Sequence, residues 1–280
     1  MVKIAINGFG RIGRLALRRI IEKYPGLKIV GINDLMDPAD LAYLLKHDSV
    51  YGRFSQDFFA VEADLENPVR SQAIGGLKIN GQSILLYNET DPRNLPWEKL
   101  GVQVVIESTG RFTKIKDAQK HLEAGAKKVI ISANSPDADI SMVMGVNENK
   151  YNSLEHQVIS GCSCTTNCAA PVLKILDDNF GVEKAVLTTV HAVTASQSLV
   201  DSAKKDSREG RAAFQNIIPS STGASEAIEK VLPQLKGRIE GSAYRVPVIA
   251  GSVLEVVAQI KKEALVSEVN LAFISASKNE

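Results

Sequence analysis

A doubly wound α/β half followed by an α+β half with a mixed, mostly antiparallel sheet is the architecture this sequence predicts, on three features. Up to about residue 132, short β-rich runs alternate with segments of helical period, the pattern of a parallel sheet built from βαβ units. The first of those runs opens directly onto three spaced glycines and an amphipathic helix. Beyond residue 150 one run, Val253 to Lys261, alternates as a strand with one covered face does. A length of 280 residues suits two cores better than one. The polar run Asn147-Glu148-Asn149-Lys150 marks the border, giving domains at 1–150 and 151–280.

The first element is the strand Val2 to Ile6. Asn7-Gly8-Phe9-Gly10-Arg11-Ile12-Gly13 follows, placing Gly8, Gly10 and Gly13 in a G-x-G-x-x-G spacing. Apolar residues at Ile12, Leu15, Ala16, Ile20 and Ile21 then make Arg11 to Tyr24 an amphipathic helix. A second strand, Ile29 to Ile32, ends in Asn33-Asp34, with Asp34 21 residues beyond Gly13. Strand, glycines, helix, strand and acid in this register form a Rossmann-type dinucleotide fingerprint. Each residue has a task in it: Gly8 allows the turn, Gly10 lets backbone N–H groups approach a pyrophosphate, and Gly13 lets helix and strand pack closely. The helix start supplies positive potential. Asp34 accepts from both ribose hydroxyls and repels a 2′-phosphate, so NAD is the expected cofactor and NADP the alternative.

Asn80-Gly81 joins two short strands as a type I′ hairpin. The strand Gly101 to Ile106 ends at Glu107-Ser108-Thr109-Gly110. A doubly wound sheet meets its ligand at strand ends, so Ser108, Thr109 and Gly110 are expected to line the cofactor site. A helix near Lys116 to Ala124 leads to a strand ending at Ser132, which joins the same group of candidates.

In the second half all three cysteines fall within nine residues, 160–168, of Ser160-Gly161-Cys162-Ser163-Cys164-Thr165-Thr166-Asn167-Cys168. Apolar residues at Ala169, Leu173, Leu176 and Phe180 continue as a helix. Thr165, Thr166 and Asn167 are residues that accept from a first helical turn. A thiol is therefore presented where a loop enters a helix, and the helix dipole there favours a thiolate nucleophile. The next strand, Glu183 to His191, ends in a histidine that either pairs with such a thiol as acid–base or packs as a structural residue. His47, His121 and His156 lie among charged residues and are expected to be solvated. The segment Ser202 to Arg211 is too charged for core and reads as a loop. A helix from Ala224 to Leu232, a loop from Leu235 to Gly241, a strand region opening at Tyr244 and a helix from Val266 to Ser275 complete the chain.

Composition narrows the function classes. With 44% hydrophobic and 23% charged residues the chain has soluble, globular composition, and a net charge of +1 gives no support to nucleic-acid or membrane binding. No run approaches the ~18 apolar residues of a membrane span, and the first residues, which run into a strand, show no signal-peptide pattern. Clustered cysteines form no disulfide framework, so a reducing cytoplasm is the expected home. Cys164 and Cys168 supply two ligands where zinc takes about four, so no metal is expected.

The residues Ile6 to Arg14, Asn33-Asp34-Leu35, Tyr43 to Phe54, Ser163 to Cys168, Thr189-Val190-His191, Asn216 to Pro219 and Tyr244 to Pro247 together resemble the phosphorylating glyceraldehyde-3-phosphate dehydrogenases. The resemblance runs from the first residues to about Glu263. It implies oxidation of glyceraldehyde 3-phosphate with NAD, through a cysteine thioester opened by inorganic phosphate. Cys164 matches the nucleophile and His191 the base. Ser163, Thr165, Thr222 and Gly223 match the site of the attacking phosphate. Thr194 and Arg245 match that of the substrate's phosphate, with Ser196 beside them, and Arg11 and Ile12 match cofactor contacts. A homo-oligomer is implied as well.

Several residues depart from that pattern. Cys162 stands where the family usually has alanine and Gly161 where it has asparagine. Glu226 replaces a common lysine, and Val200 to Ala203 lacks the Leu-Pro pair of strictly NAD-using bacterial members. The sequence ends at Glu280, before the family's last strands and helix, so a carboxy-terminally incomplete catalytic domain is expected. That departure keeps open a non-catalytic dinucleotide-binding or assembly protein. Erythrose-4-phosphate dehydrogenase is the alternative within the enzyme class.

Overall fold

The computed structural model describes residues 1–62 and 72–278, which divide into two compact units. Unit one comprises 1–141 and 151–161, and unit two comprises 142–150 and 162–280, so the chain crosses between units three times around the border expected near 150.

In unit one, nine strands of the described residues form one sheet. They are Val2–Asn7 (β1), Leu27–Asn33 (β2), Phe58–Val61 (β3), Gly75–Ile79 (β4), Gln82–Tyr87 (β5), Val104–Glu107 (β6), Lys128–Ile131 (β7), Ile140–Ser141 (β8) and Val158–Ser160 (β9). Their order is β8-β9-β7-β6-β1-β2-β5-β4-β3, all parallel except the two antiparallel pairings of β4. The strand order reverses on either side of β1, which opens a crevice at the carboxyl ends of β1, β2 and β6. Register sets Asn7 level with both Asn33 and Glu107 there.

Alternation along β1 divides its side chains between two cores. Ile4 and Ile6 pack with Leu17 and Ile20 of helix Arg11–Lys23 (α1) and with Leu41 and Leu45 of helix Pro38–Lys46 (α2). Ala5 points the other way, against Tyr87, Trp97 and Val105. Burying each such large side chain stabilises by about 1.5–3 kcal/mol. The buried stripe of α1 is Gly13, Leu17, Arg18 and Ile20, whereas Ile12 is exposed. Arg18 is tolerated inside because its guanidinium donates to the carbonyls of Leu45 and Gly52 and stacks on Phe54. Helix Ile115–Glu123 (α3) buries Ala118 and His121, so the expectation of a solvated His121 is corrected: its ring is fully buried.

In unit two, helix Cys164–Phe180 (α4), helix Ala224–Val231 (α5) and helix Val266–Ala276 (α6) accompany a four-stranded mixed sheet. Its strands are Val182–His191 (β10), Ile218–Ser220 (β11), Ile239–Arg245 (β12) and Val253–Ile260 (β13), in the order β11-β12-β10-β13. The β10–β12 pair is parallel and the others antiparallel. Ala185 and Leu187 of β10 join Ala169, Leu173, Ile228 and Val231 in the core. The loop expected over Leu235 to Gly241 gives way to β12 from Ile239, because pairing with Ala185 begins there. Consequently Tyr244 and Arg245 close a strand and do not open one.

Candidate active site

The crevice of unit one holds a cavity of about 390 Å³ lined by Gly8, Gly10, Asp34, Ser108 and Thr109, together with Asn7, Asn33, Leu35, Glu89, Thr90, Arg111 and Phe112. Gly8 has φ +89°, a left-handed conformation that glycine adopts at little cost. A Cβ there would also lie 2.6 Å from the amide nitrogen of Thr109. A Cβ on Gly13 would lie 2.2 Å from the Gly8 carbonyl oxygen, so helix and turn pack without room for a methyl group. Gly10 differs from both. Its φ is −73° and, among the described residues, nothing lies within 4 Å of its missing Cβ, so the fold itself does not demand glycine there. No side chain caps α1. The Asp34 carboxylate accepts the Phe9 N–H at 2.7 Å and the Met36 N–H at 3.1 Å, which fixes it at the end of β2. Arg11, Ile12, Gly13, Gly110 and Ser132 are not among the lining residues of this cavity.

In unit two, α4 begins at Cys164 itself. Ser163 is the cap: its Oγ accepts the Thr166 N–H at 3.1 Å. The cap therefore lies one residue before the thiol, and the threonines belong to the first turn. Cys162 takes φ +60° and is buried, while Cys164 and Cys168 are exposed; none of the three is in a disulfide.

The Cys164 Sγ lies 3.2 Å from His191 Nε2, so the pairing that the sequence left open is formed within one unit. His191 Nδ1 is 2.6 Å from the Ala192 carbonyl oxygen. A carbonyl only accepts, so Nδ1 carries a proton and the Nε2 lone pair of the neutral ring faces the sulfur. Burial holds His191 below its ordinary value, the Ala192 hydrogen bond acts against this, and the Arg245 charge lowers it further. The neutral imidazole is thus the resting form at pH 7, ready to act as a base.

Register places Arg245 of β12 directly beside His191. Its Nε and one Nη are buried without a partner among the described residues, an arrangement suited to an anion. Thr194 Oγ1 and Ser196 Oγ lie 3.0 Å apart just beyond β10. Ser163 and Thr165 stand at the start of α4, Thr222 and Gly223 at the start of α5, where Thr222 Oγ1 accepts the Ala224 N–H.

Comparison with known proteins bears on this geometry. A family model described as glyceraldehyde 3-phosphate dehydrogenase, NAD binding domain, matches residues 2–115, and its C-terminal-domain counterpart matches residues 163–280. The chain belongs to the glyceraldehyde-3-phosphate dehydrogenase family. It is 50% identical over 279 residues to glyceraldehyde-3-phosphate dehydrogenase of Geobacillus stearothermophilus, covering 100% of this chain and 79% of the relative. Against the Streptomyces coelicolor protein of that name it is 47% identical over 276 residues, with 99% and 79% covered. The match to the Priestia megaterium protein is 50% over 279 residues, with 100% and 79% covered.

The first unit of this family member carries its NAD-binding domain, and the crevice fits that cofactor. The open space over Gly10 and the uncapped helix start suit a pyrophosphate, and the fixed Asp34 carboxylate suits a ribose diol. Sequence reasoning missed Asn7, Asn33 and Glu107. Their signal was present, since all three end strands of the doubly wound sheet.

Proposed function

We propose that this chain oxidises and phosphorylates glyceraldehyde 3-phosphate to 1,3-bisphosphoglycerate, with Cys164 as nucleophile and His191 as acid–base. The observation that carries the residue assignment is the 3.2 Å approach of Cys164 Sγ to a neutral His191 Nε2. Nε2 takes the thiol proton as sulfur attacks the aldehyde carbon, and returns it to the resulting oxyanion, giving a hemithioacetal. It then accepts the hydroxyl proton as the C–O bond becomes C=O and the carbon loses hydride, leaving a thioester on Cys164. Bound NAD supplies the hydride acceptor, held by Gly8, Gly10, Asp34, Ser108 and Thr109 with Arg11, Ile12, Gly13, Gly110 and Ser132 nearby. An oxygen of inorganic phosphate attacks the thioester carbon, the C–S bond breaks, and the departing sulfur takes the proton from His191, which restores the Cys164 thiol and the neutral imidazole. The acyl phosphate departs, and the proton of the attacking phosphate passes to solvent.

Arg245, with two unpartnered guanidinium nitrogens, holds the substrate's phosphate beside Thr194 and Ser196. Ser163 and Thr165 at the α4 start, with Thr222 and Gly223 at the α5 start, hold the attacking phosphate. The chain acts as a homo-oligomer. Supporting this, one sheet face of unit two exposes Val186 and Val190 opposite Val257 and Val253, an apolar surface suited to a second copy. A reducing cytoplasm suits a chain whose three cysteines form no disulfide, and among the described residues no helix is long and apolar enough to cross a membrane.

The test is NAD reduction followed at 340 nm with glyceraldehyde 3-phosphate, in the presence and absence of inorganic phosphate. Sustained turnover only with phosphate is expected. Equal rates with water as acceptor, or no reduction by a folded chain whose Cys164 is intact, would overturn the assignment.

A further inference from the structure

Glu107, His121, Asn7 and Asn33 are buried polar groups that the chemistry at Cys164 does not use. Trp97 Nε1–H donates to His121 Nδ1 at 3.0 Å. An indole only donates, so Nδ1 is bare and the ring proton is on Nε2. That N–H donates to Glu107 Oε2 at 3.2 Å, and Asn7 Nδ2 donates to the same oxygen. Asn7 Oδ1 in turn accepts from Asn33 Nδ2 at 2.7 Å. The other carboxylate oxygen, Oε1, accepts both the backbone N–H of Thr109 at 2.8 Å and the Thr109 hydroxyl. Thr109 lines the nucleotide cavity, and the Gly8 turn rests on its backbone.

Four donors therefore converge on one buried carboxylate whose two faces serve the core and the cavity wall. We propose that Glu107 is a positioning residue for NAD: held by the Trp97–His121 relay, it fixes Thr109 and the Gly8 turn in the form that accepts the dinucleotide. This rests on the NAD-binding assignment of unit one. The donor pattern demands a carboxylate. A carboxamide has one accepting oxygen and one donating NH₂ group, so either orientation of Glu107→Gln sets N–H against N–H or N–H against O–H.

The pattern also specifies a rescue. Trp97→Phe removes the donor to His121 Nδ1, so the ring can take its proton there and accept at Nε2 from the carboxamide, which leaves only the Asn7 N–H opposed to it. The experiment is calorimetric titration of NAD into the whole chain for the wild type, Glu107→Gln, Trp97→Phe and the double variant. Nitrogen NMR of labelled histidine reports the His121 tautomer alongside. Glu107→Gln is expected to weaken NAD binding roughly tenfold or more. The double variant is expected to recover part of that loss, with the His121 proton moved from Nε2 to Nδ1. If Glu107→Gln does not fold, Thr109→Val keeps the side-chain shape and removes only the hydroxyl donor, and is expected to weaken NAD roughly threefold or more. Glu107→Gln, or in its place Thr109→Val, binding as tightly as wild type overturns the proposal alone. So does a double variant no better than the single one with an unchanged tautomer. Failure of the wild type to bind NAD overturns the cofactor assignment as well.

Discussion

Replacing Gly13 by alanine sets two effects of opposite sign against each other. Within a helix that change ordinarily stabilises by about 1 kcal/mol, because alanine loses less backbone entropy. Here the new methyl carbon would sit 2.2 Å from the Gly8 carbonyl oxygen, and 3.1 Å from both Ile6 Cγ2 and Ser108 Oγ. A carbon–oxygen contact settles near roughly 3.3 Å, so α1 or the Gly8 turn must retreat by about 1 Å. The carbonyl is not free to swing aside, because it accepts the Ser108 hydroxyl at 2.7 Å, and losing that bond costs about 1 kcal/mol. Overpacking against backbone belongs at the upper end of its usual range of about 1–3 kcal/mol. Less the propensity gain of about 1 kcal/mol, the expected net loss is about 2 kcal/mol. Denaturant unfolding measures it as a lowered midpoint, and NAD titration reads the displaced turn as a parallel loss of affinity. A variant stabilised by about 1 kcal/mol, binding NAD as before, would refute the close-packing argument.

Gly10→Ala should leave stability unchanged or raise it slightly, since its methyl group meets nothing, yet weaken NAD by roughly tenfold or more; unfolding and NAD titration separate the two. Cys164→Ser should lower turnover by on the order of 10⁴-fold while NAD affinity, measured by titration, stays at the wild-type value. Alkylation mapped by peptide mass should modify the exposed Cys164 well before the buried Cys162. His191 should titrate below 6.5 in an NMR pH series, mainly through burial with Arg245 reinforcing it, and Arg245→Gln should move it upward. Because the folded value is the lower one, the unfolded chain takes up the proton first. The group's stabilising contribution is then complete above pH 6.5 and declines as pH falls toward the folded value.

Local patterns were readable and pairings between distant segments were not. The strand–glycine–helix–strand–acid series of residues 2–34 is fixed by turn geometry and helix packing between near neighbours, and each glycine announces its reason. Cys164 and His191 are 27 residues apart, and only the packing of α4 against β10 brings them together. Spacing therefore identified two candidates and left their meeting undecided. His121 was misread because Lys116, Asp117, Lys120 and Glu123 surround it in sequence. On α3 it lies three residues after Ala118, on the buried stripe, and a partner on each ring nitrogen makes its burial affordable. The start of β12 was hidden for another reason: Arg238-Ile239-Glu240-Gly241 has poor strand propensity, and pairing with β10 overrides it.

The two units use a helix start in opposite ways, and the caps show which is which. At α1 the residue before the helix is Gly10, which has no side chain to satisfy the first-turn N–H groups and leaves space above them. That is the arrangement for an anion that arrives with a ligand and satisfies those donors itself. At α4 the preceding residue is Ser163, whose hydroxyl accepts the Thr166 N–H and pins the first turn where Cys164 emerges from it. A pinned turn holds a side chain at one place, and the sulfur of a nucleophile must stay within hydrogen-bond reach of its base. Exchanging the two caps should therefore damage each site differently. Ser163→Gly should loosen the Cys164–His191 distance with little effect on NAD. Gly10→Ser should cap α1 and obstruct the cofactor with little effect on thiol reactivity.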